Sequence, residues 1–225
     1  MHIKVGLENN LNGSSCAWVQ DHPGVTASGK DGSEALLRVP QALVAFQGWV
    51  AKHTDDSWLA DLGDFDVRMV ELLDHSMEKN ESRNWFEDDK RALEPLELQR
   101  GLLVLAWQRA DLLEMAGSFT PAELERTFEG ESDSMSIILH RIAEDEQRDL
   151  SSLGLPVTEL TAGEDVFTRL AAVREQLTAQ LSVWPQDEPV LENNGDLWSA
   201  RKLLRRAIRH ERASINDFVK LINYF

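Results

Sequence analysis

The stretch that most constrains this chain is its last thirty residues, 196–225, where apolar residues recur at helical spacing and polar residues intrude on the same stripe. At about 100° per residue, Ala200, Leu203, Leu204, Ala207, Phe218, Leu221 and Ile222 fall on one side of a helix. Glu211 and Ser214 lie within that side and His210 at its edge. A chain that sends polar groups from its last helix into a packed interior must bring partners for them from other elements, because an unpaired buried polar group costs several kcal/mol. A satisfied polar cluster and a binding site both meet that demand.

Upstream, two patterns divide the chain. Residues 3–7, 15–20 and 25–28 read as short strands, separated by Asn9-Asn10-Leu11-Asn12-Gly13 and Asp21-His22-Pro23-Gly24, both turn compositions. From Ser33, a candidate N-cap, the spacing becomes helical through Ala35, Leu36, Val39, Ala42, Leu43, Phe46, Trp49 and Val50, with Pro40 expected to kink the helix. Residues 66–72 complete a β-β-β-α-β domain over 1–80. A mixed-charge linker, 81–94, follows.

The rest, 95–225, reads as helices. Pro95 opens one that runs to Gly117; Thr120 and Glu123 form a capping box for a short one; a long helix spans about 134–153; and Thr161 with Glu164 caps another carrying Phe167, Leu170, Val173, Leu177 and Leu181 inward. The segment 184–196 is too broken by Pro, Asn and Gly for helix and is expected to be a crossover connection. The fold class is therefore an α+β domain followed by an all-α four-helix bundle.

Charge narrows the function. A net charge of -16 and a pI near 4.7 disfavour nucleic acid and anionic membranes as partners. No apolar run reaches membrane-spanning length, the N-terminus lacks a signal-peptide layout, and the expected location is cytoplasmic. Cys16 is the single cysteine, which excludes an internal disulfide and a thiolate metal cluster within one chain.

The order strand, strand, Pro23-Gly24, strand to Gly29, then Ser33-Glu34-Ala35-Leu36 and Pro40-Gln41-Ala42-Leu43 with Phe46 and Trp49, resembles the HicB-like domain, known from antitoxins. The helical part resembles the DinB-like superfamily. Leu197-Trp198-Ser199 leading to His210-Glu211 is similar to that family's last helix, in which Trp-Ser opens the helix and His-Glu-x-x-His closes a site. Residues 138–146 are similar to its second helix. Residues 85–91 with 105–113 are similar to the entry seen where such bundles follow a HicB-like domain. The resemblance implies a divalent metal, zinc or nickel, held by three histidines from the second and fourth helices and serving thiol-dependent transfer or isomerisation.

Residue by residue, His210 matches the first histidine of the last helix, while Ser214 and Arg141 occupy the other two expected histidine positions. His140 lies one position early, a rotation of about 100° around the helix. Glu144 or Glu211 could add a carboxylate. The candidate metal residues are thus His210, His140 and Glu144, and the candidate buried polar cluster is Glu146, Glu211 and Ser214. Glu146 shares a stripe with Leu139 and Leu150 and calls for a partner, a cation such as Arg109 or a polar group of the last helix. The basic run Arg201, Lys202, Arg205, Arg206, Arg209 and Arg212 is expected on a solvated face. His22, His53 and His75 read as loop histidines, and Cys16 as packing. The expected function is that of a non-catalytic small-ligand-binding or interaction protein with a degenerate metal triad and no cofactor, able to form a homodimer. The alternatives are a metal- or thiol-dependent transferase or isomerase, and an antitoxin-type binding module.

Overall fold

The computed structural model describes residues 2–11, 13–56, 58, 64–74, 85–155, 165–185, 187 and 189–225. Two units are distinct, Met1–Arg91 and Ala92–Phe225.

The first unit contains β1 (His2–Leu11), β2 (Ser14–Val19), β3 (Thr26–Gly29), α1 (Gly32–Val50) and β4 (Asp66–Asp74), in the expected β-β-β-α-β order. The sheet order is β3-β2-β1-β4, with β1–β2 and β2–β3 antiparallel and β1–β4 parallel. Since β3 runs the same way as β4, α1 is the crossover of a parallel β-α-β unit, which carries it over one face of the sheet. Its inward residues are Ala35, Val39, Leu43, Phe46 and Val50. The N-cap is Asp31, two residues before the expected Ser33, and its carboxylate accepts from Glu34 N at 2.9 Å. Pro40 sits within one continuous helix.

The sheet's other face is covered as well. Phe86 packs against Cys16 and Trp18, with Leu73 beside them. A Cβ on Gly6 would lie 2.6 Å from the Phe86 ring, so Gly6 supplies the room that the ring occupies. The indole of Trp18 donates to the buried Glu8 carboxylate at 2.8 Å. Phe86 N donates to Asp89 Oδ2 at 2.9 Å, and Glu87 N donates to Glu71 Oε2 at 2.9 Å, which pins the short 3₁₀ turn Glu87–Lys90. The boundary between the units accordingly falls at Arg91/Ala92, and the 85–91 part of the expected linker is structural. Residues 75–84, with His75 and the 81–84 part of the expected linker, and Asn12 lie outside the described residues, whereas Leu93 of that linker is buried and Glu94 is the N-cap of the helix that follows.

In the second unit, four long helices surround one core: α2 (Pro95–Ala116), α4 (Met135–Ser152), α5 (Val166–Ser182) and α6 (Ala200–Ile222), with the one-turn α3 (Pro121–Leu124) between the first two. Leu112, Met135, Leu139, Ile142, Leu170 and Phe218 form the centre of that core. Pairings along the helices give their directions. Arg109 meets Glu211 while Gly101 lies against Leu204, so α2 and α6 are parallel. Glu146 meets Arg174 while His140 meets Arg169, so α4 and α5 are parallel too. Asp149–Arg206 and Asp217–Arg141 run in opposite order, which sets α4 against α6.

Two expectations are corrected here. α5 and α6 run in opposite directions, so the connection at 184–196 joins neighbouring ends of the bundle and is not a crossover. That segment holds a β-hairpin, β5 (Val190–Asn193) and β6 (Asp196–Ser199), closed by Asn194-Gly195 with φ of 53° and 84°. Asn-Gly with two positive φ values is the two-residue turn that matches strand twist. The last helix therefore starts at Ala200, capped by Ser199, whose hydroxyl accepts from Lys202 N at 3.0 Å. The capping box expected at Thr161 and Glu164 lies outside the described residues; α5 is capped by Asp165.

The tightest backbone approach in the first unit is at Gly29, where an added Cβ would stand 2.5 Å from Ala35 N and 2.9 Å from the Glu34 carbonyl carbon. Backbone cannot yield as a side chain can. Gly29→Ala is expected to cost about 1–3 kcal/mol, measured by urea denaturation, whereas Gly48→Ala, with open space around it, is expected to be neutral or slightly stabilising.

Candidate functional site

The polar residues that the last helix sends inward meet partners from each of the other long helices. Arg109 on α2 donates through Nε to Glu211 Oε1 at 2.6 Å and through Nη2 to Glu146 Oε1 at 3.1 Å. Arg174 on α5 donates through Nε to Glu146 Oε1 at 3.0 Å and through Nη2 to Glu211 Oε2 at 2.7 Å, with a further short contact from Nη2 to Glu146. The remaining guanidinium edges reach backbone: Arg109 Nη1 donates to Leu170 O at 2.7 Å and Arg174 Nη1 to Leu105 O at 2.8 Å. Two arginines and two glutamates, one from each long helix, form a closed and formally neutral set.

Arg109, Glu146 and Glu211 are buried, and the Arg174 side chain is 11% exposed. Glu211 is 1% and Glu146 3% exposed, a depth at which an unpaired carboxylate would not stay ionised. Burial works against the charge of Arg174, and Glu211 and Glu146 more than reverse it, so its pKa is raised. One carboxylate oxygen, Glu146 Oε2, has no hydrogen-bond partner among the described residues, and neither polar atom of the buried Gln108 on α2 has one.

The candidate cluster is thus assembled in part. Glu146 and Glu211 share both arginines. Ser214 is buried one turn along α6 and takes no part in the network's hydrogen bonds. The residue that sequence reasoning missed is Arg174. Its signal was present, since it falls between Leu170, Val173 and Leu177 on the stripe that faces the core.

The candidate metal residues are placed apart. His140 is half-buried with its Nδ1 3.4 Å from Arg169 Nη1, and Glu144 is exposed. His210 belongs to another level of the bundle. Asp149 pairs with Arg206 and Arg141 with Asp217, so His210 stands near residues 145–149 of α4, roughly 10 Å along the helix from His140 at 1.5 Å per residue. Among the described residues no three His, Cys, Asp or Glu side chains converge as metal ligands would. Arg141, in one expected histidine position, pairs with Asp133 at 2.6 Å and Asp217 at 3.0 Å. The residues present do not fit the metal that the resemblance implies.

The basic run on α6 is corrected too. Arg201, Lys202 and Arg205 are buried. Arg201 pairs with Glu97 at 2.6 Å, Lys202 Nζ donates to Leu197 O at 2.8 Å and stands 4.5 Å from the centre of the Trp198 ring, and Arg206 pairs with Asp149 at 2.9 Å. In the first unit a cavity of about 270 Å³ opens at the end of α1, lined by Gln47, Thr54, Asp55, Asp56 and Trp58 among others. Among the described residues its lining carries two carboxylates and no cation, which suits a cationic or neutral guest better than an anion.

No helix among the described residues is long and apolar enough to cross a membrane. No family model matches the chain, no curated protein matches it, and no solved structure does.

Two outcomes follow from this geometry. Glu211→Gln leaves two buried guanidinium groups with one carboxylate, for an expected loss of about 3–5 kcal/mol. Removing one charge of each sign, Glu211→Gln with Arg174→Met, is expected to recover part of that loss in urea denaturation. His210 has its pKa lowered by burial first and by Arg206 second, against Asp149 and Asp145. A histidine that resists protonation when folded binds fewer protons than in the unfolded chain. Its contribution to stability is full above the ordinary histidine pKa of about 6.5 and declines as pH falls below it. His210→Gln is expected to flatten the stability profile between about pH 6.5 and 5.

Proposed function

We propose that the helical unit keeps the frame of a DinB-like bundle without its metal chemistry, and that the protein works as a non-catalytic interaction protein. The observation that carries this reading is the Arg109–Glu146–Arg174–Glu211 network, which fills the bundle interior beside His210 with groups that neutralise one another. A catalytic site needs groups whose hydrogen-bonding and ionisation capacity is directed at a substrate; here the two arginines and three of the four carboxylate oxygens are engaged with one another across the helices, and Glu146 Oε2 alone of the four is without a partner among the described residues. The remaining positions of the implied triad support the same reading. Arg141 is held by two aspartates, Ser214 is a weak ligand for zinc or nickel, and His140 lies on a different level from His210.

Metal analysis of protein purified without chelator tests it. The expected result is less than stoichiometric zinc and nickel, unchanged in His210→Ala. One tightly held divalent ion per chain, lost in His210→Ala, would overturn the reading in favour of a metal-dependent transferase or isomerase.

A further inference from the structure

The sheet of the first unit has two edges, and they are unlike each other. The β3 edge is four residues long, and the Ser28 carbonyl there is taken by Arg38 Nη1 at 2.9 Å. The β4 edge is nine residues long, and among the described residues nothing pairs with its outer side. It carries Met69, Val70 and Leu72 at 46%, 46% and 49% exposure, in the middle of a strand whose backbone groups are open to another chain.

Register decides what such an edge can accept. Val5 pairs with Met69 and Gly6 with Glu71, which makes Val70 a bulge. On either side of it the faces are set by β1. Val67, Met69 and Leu72 lie opposite Ile3, Val5 and Leu7 on one face, whereas Arg68, Glu71 and Leu73 lie opposite Lys4, Gly6 and Glu8 on the other. Consider a second copy of β4 added antiparallel, with the two-fold axis between Met69 and Val70. Val67 then meets Leu72 on one face and Arg68 meets Glu71 on the other, each contact occurring twice by symmetry. Shifting by one residue in either direction sets residues of opposite faces against each other, because the bulge no longer coincides with the axis. Shifting by two leaves Arg68 against Leu73 or Asp66 against Glu71.

We infer that this chain forms a homodimer by antiparallel pairing of β4 with β4 of a second copy, in the register that places Arg68 of each chain against Glu71 of the other. Arg68 has no ion pair among the described residues, so it is available for that contact. The Glu71 carboxylate accepts from Glu87 N and has no cation beside it among the described residues; burial raises its pKa first, that backbone hydrogen bond lowers it, and the nearby Glu87, Asp89 and Asp88 carboxylates raise it further, an environment that a cation from the partner relieves. The seam also flanks the three exposed apolar side chains, which no contact among the described residues covers. This inference is independent of how the helical unit is read, and its test does not involve metal.

Sedimentation velocity of the full chain over a concentration series reads the outcome. The wild type is expected at twice the chain mass. Arg68→Glu sets acid against acid, and Glu71→Arg sets base against base. Each variant alone is expected to dissociate at least ten-fold more readily. In an equimolar mixture every seam contact joins opposite charges, and the dimer is expected to return as a heterodimer. Urea midpoints of the separate variants establish that they fold; should Glu71→Arg not fold, Leu72→Lys replaces it and is expected to give monomer alone. A wild type that stays monomeric throughout, an Arg68→Glu variant that dimerises as tightly as wild type, or a folded pair of charge variants that does not associate on mixing overturns the inference.

Discussion

Two buried carboxylates and two buried guanidinium groups hold the second unit to one arrangement of its long helices. Each long helix contributes one charge, and no charge can be left alone at that depth without a cost of several kcal/mol. The set closes only when α2 runs with α6, α4 runs with α5, and the pairs oppose each other at one register. An apolar core tolerates sliding and repacking, since any hydrophobic neighbour of similar volume serves. A guanidinium that must reach two carboxylates and a backbone carbonyl tolerates neither. Removing one partner is costly, because it leaves an opposite charge buried and uncompensated.

The same interaction explains what the bundle is suited to do. Histidines at 140 and 210 would hold a metal only if they shared a level. The ion pairs that flank them, Arg206–Asp149 beside His210 and Arg141–Asp217 near His140, hold them about two helical turns apart. In the first unit α1 packs on one face of the sheet and Phe86 on part of the other, beside Cys16, Trp18 and Leu73.

Misreadings of the sequence share a physical origin. The basic side chains of α6 read as solvated because charge patterning on one helix says nothing of carboxylates on others. Glu97, more than a hundred residues away in sequence, and Asp149 supply the partners. The segment 85–91 reads as linker because it is highly charged, yet Phe86 anchors it over Gly6. Arg174 went unnoticed although it interrupts a core stripe, the same signal that singled out Glu146 and Glu211. Asn194-Gly195 carried a hairpin signal within a stretch set aside as irregular.

What the sequence by itself determined is local. The period-two and helical spacings, the caps and the turn residues specify the strand-strand-strand-helix-strand order and the succession of helices, because those signals act over a few residues. Burial of Glu146 and Glu211 was legible for the same reason, since an interrupted apolar stripe is a property of one helix. Tertiary structure alone decided that the two carboxylates share two arginines, that α4 and α5 run in parallel, and that His140 and His210 stand at different levels. Each of those depends on the relative register of helices far apart in the chain, and periodicity within a helix leaves that register free.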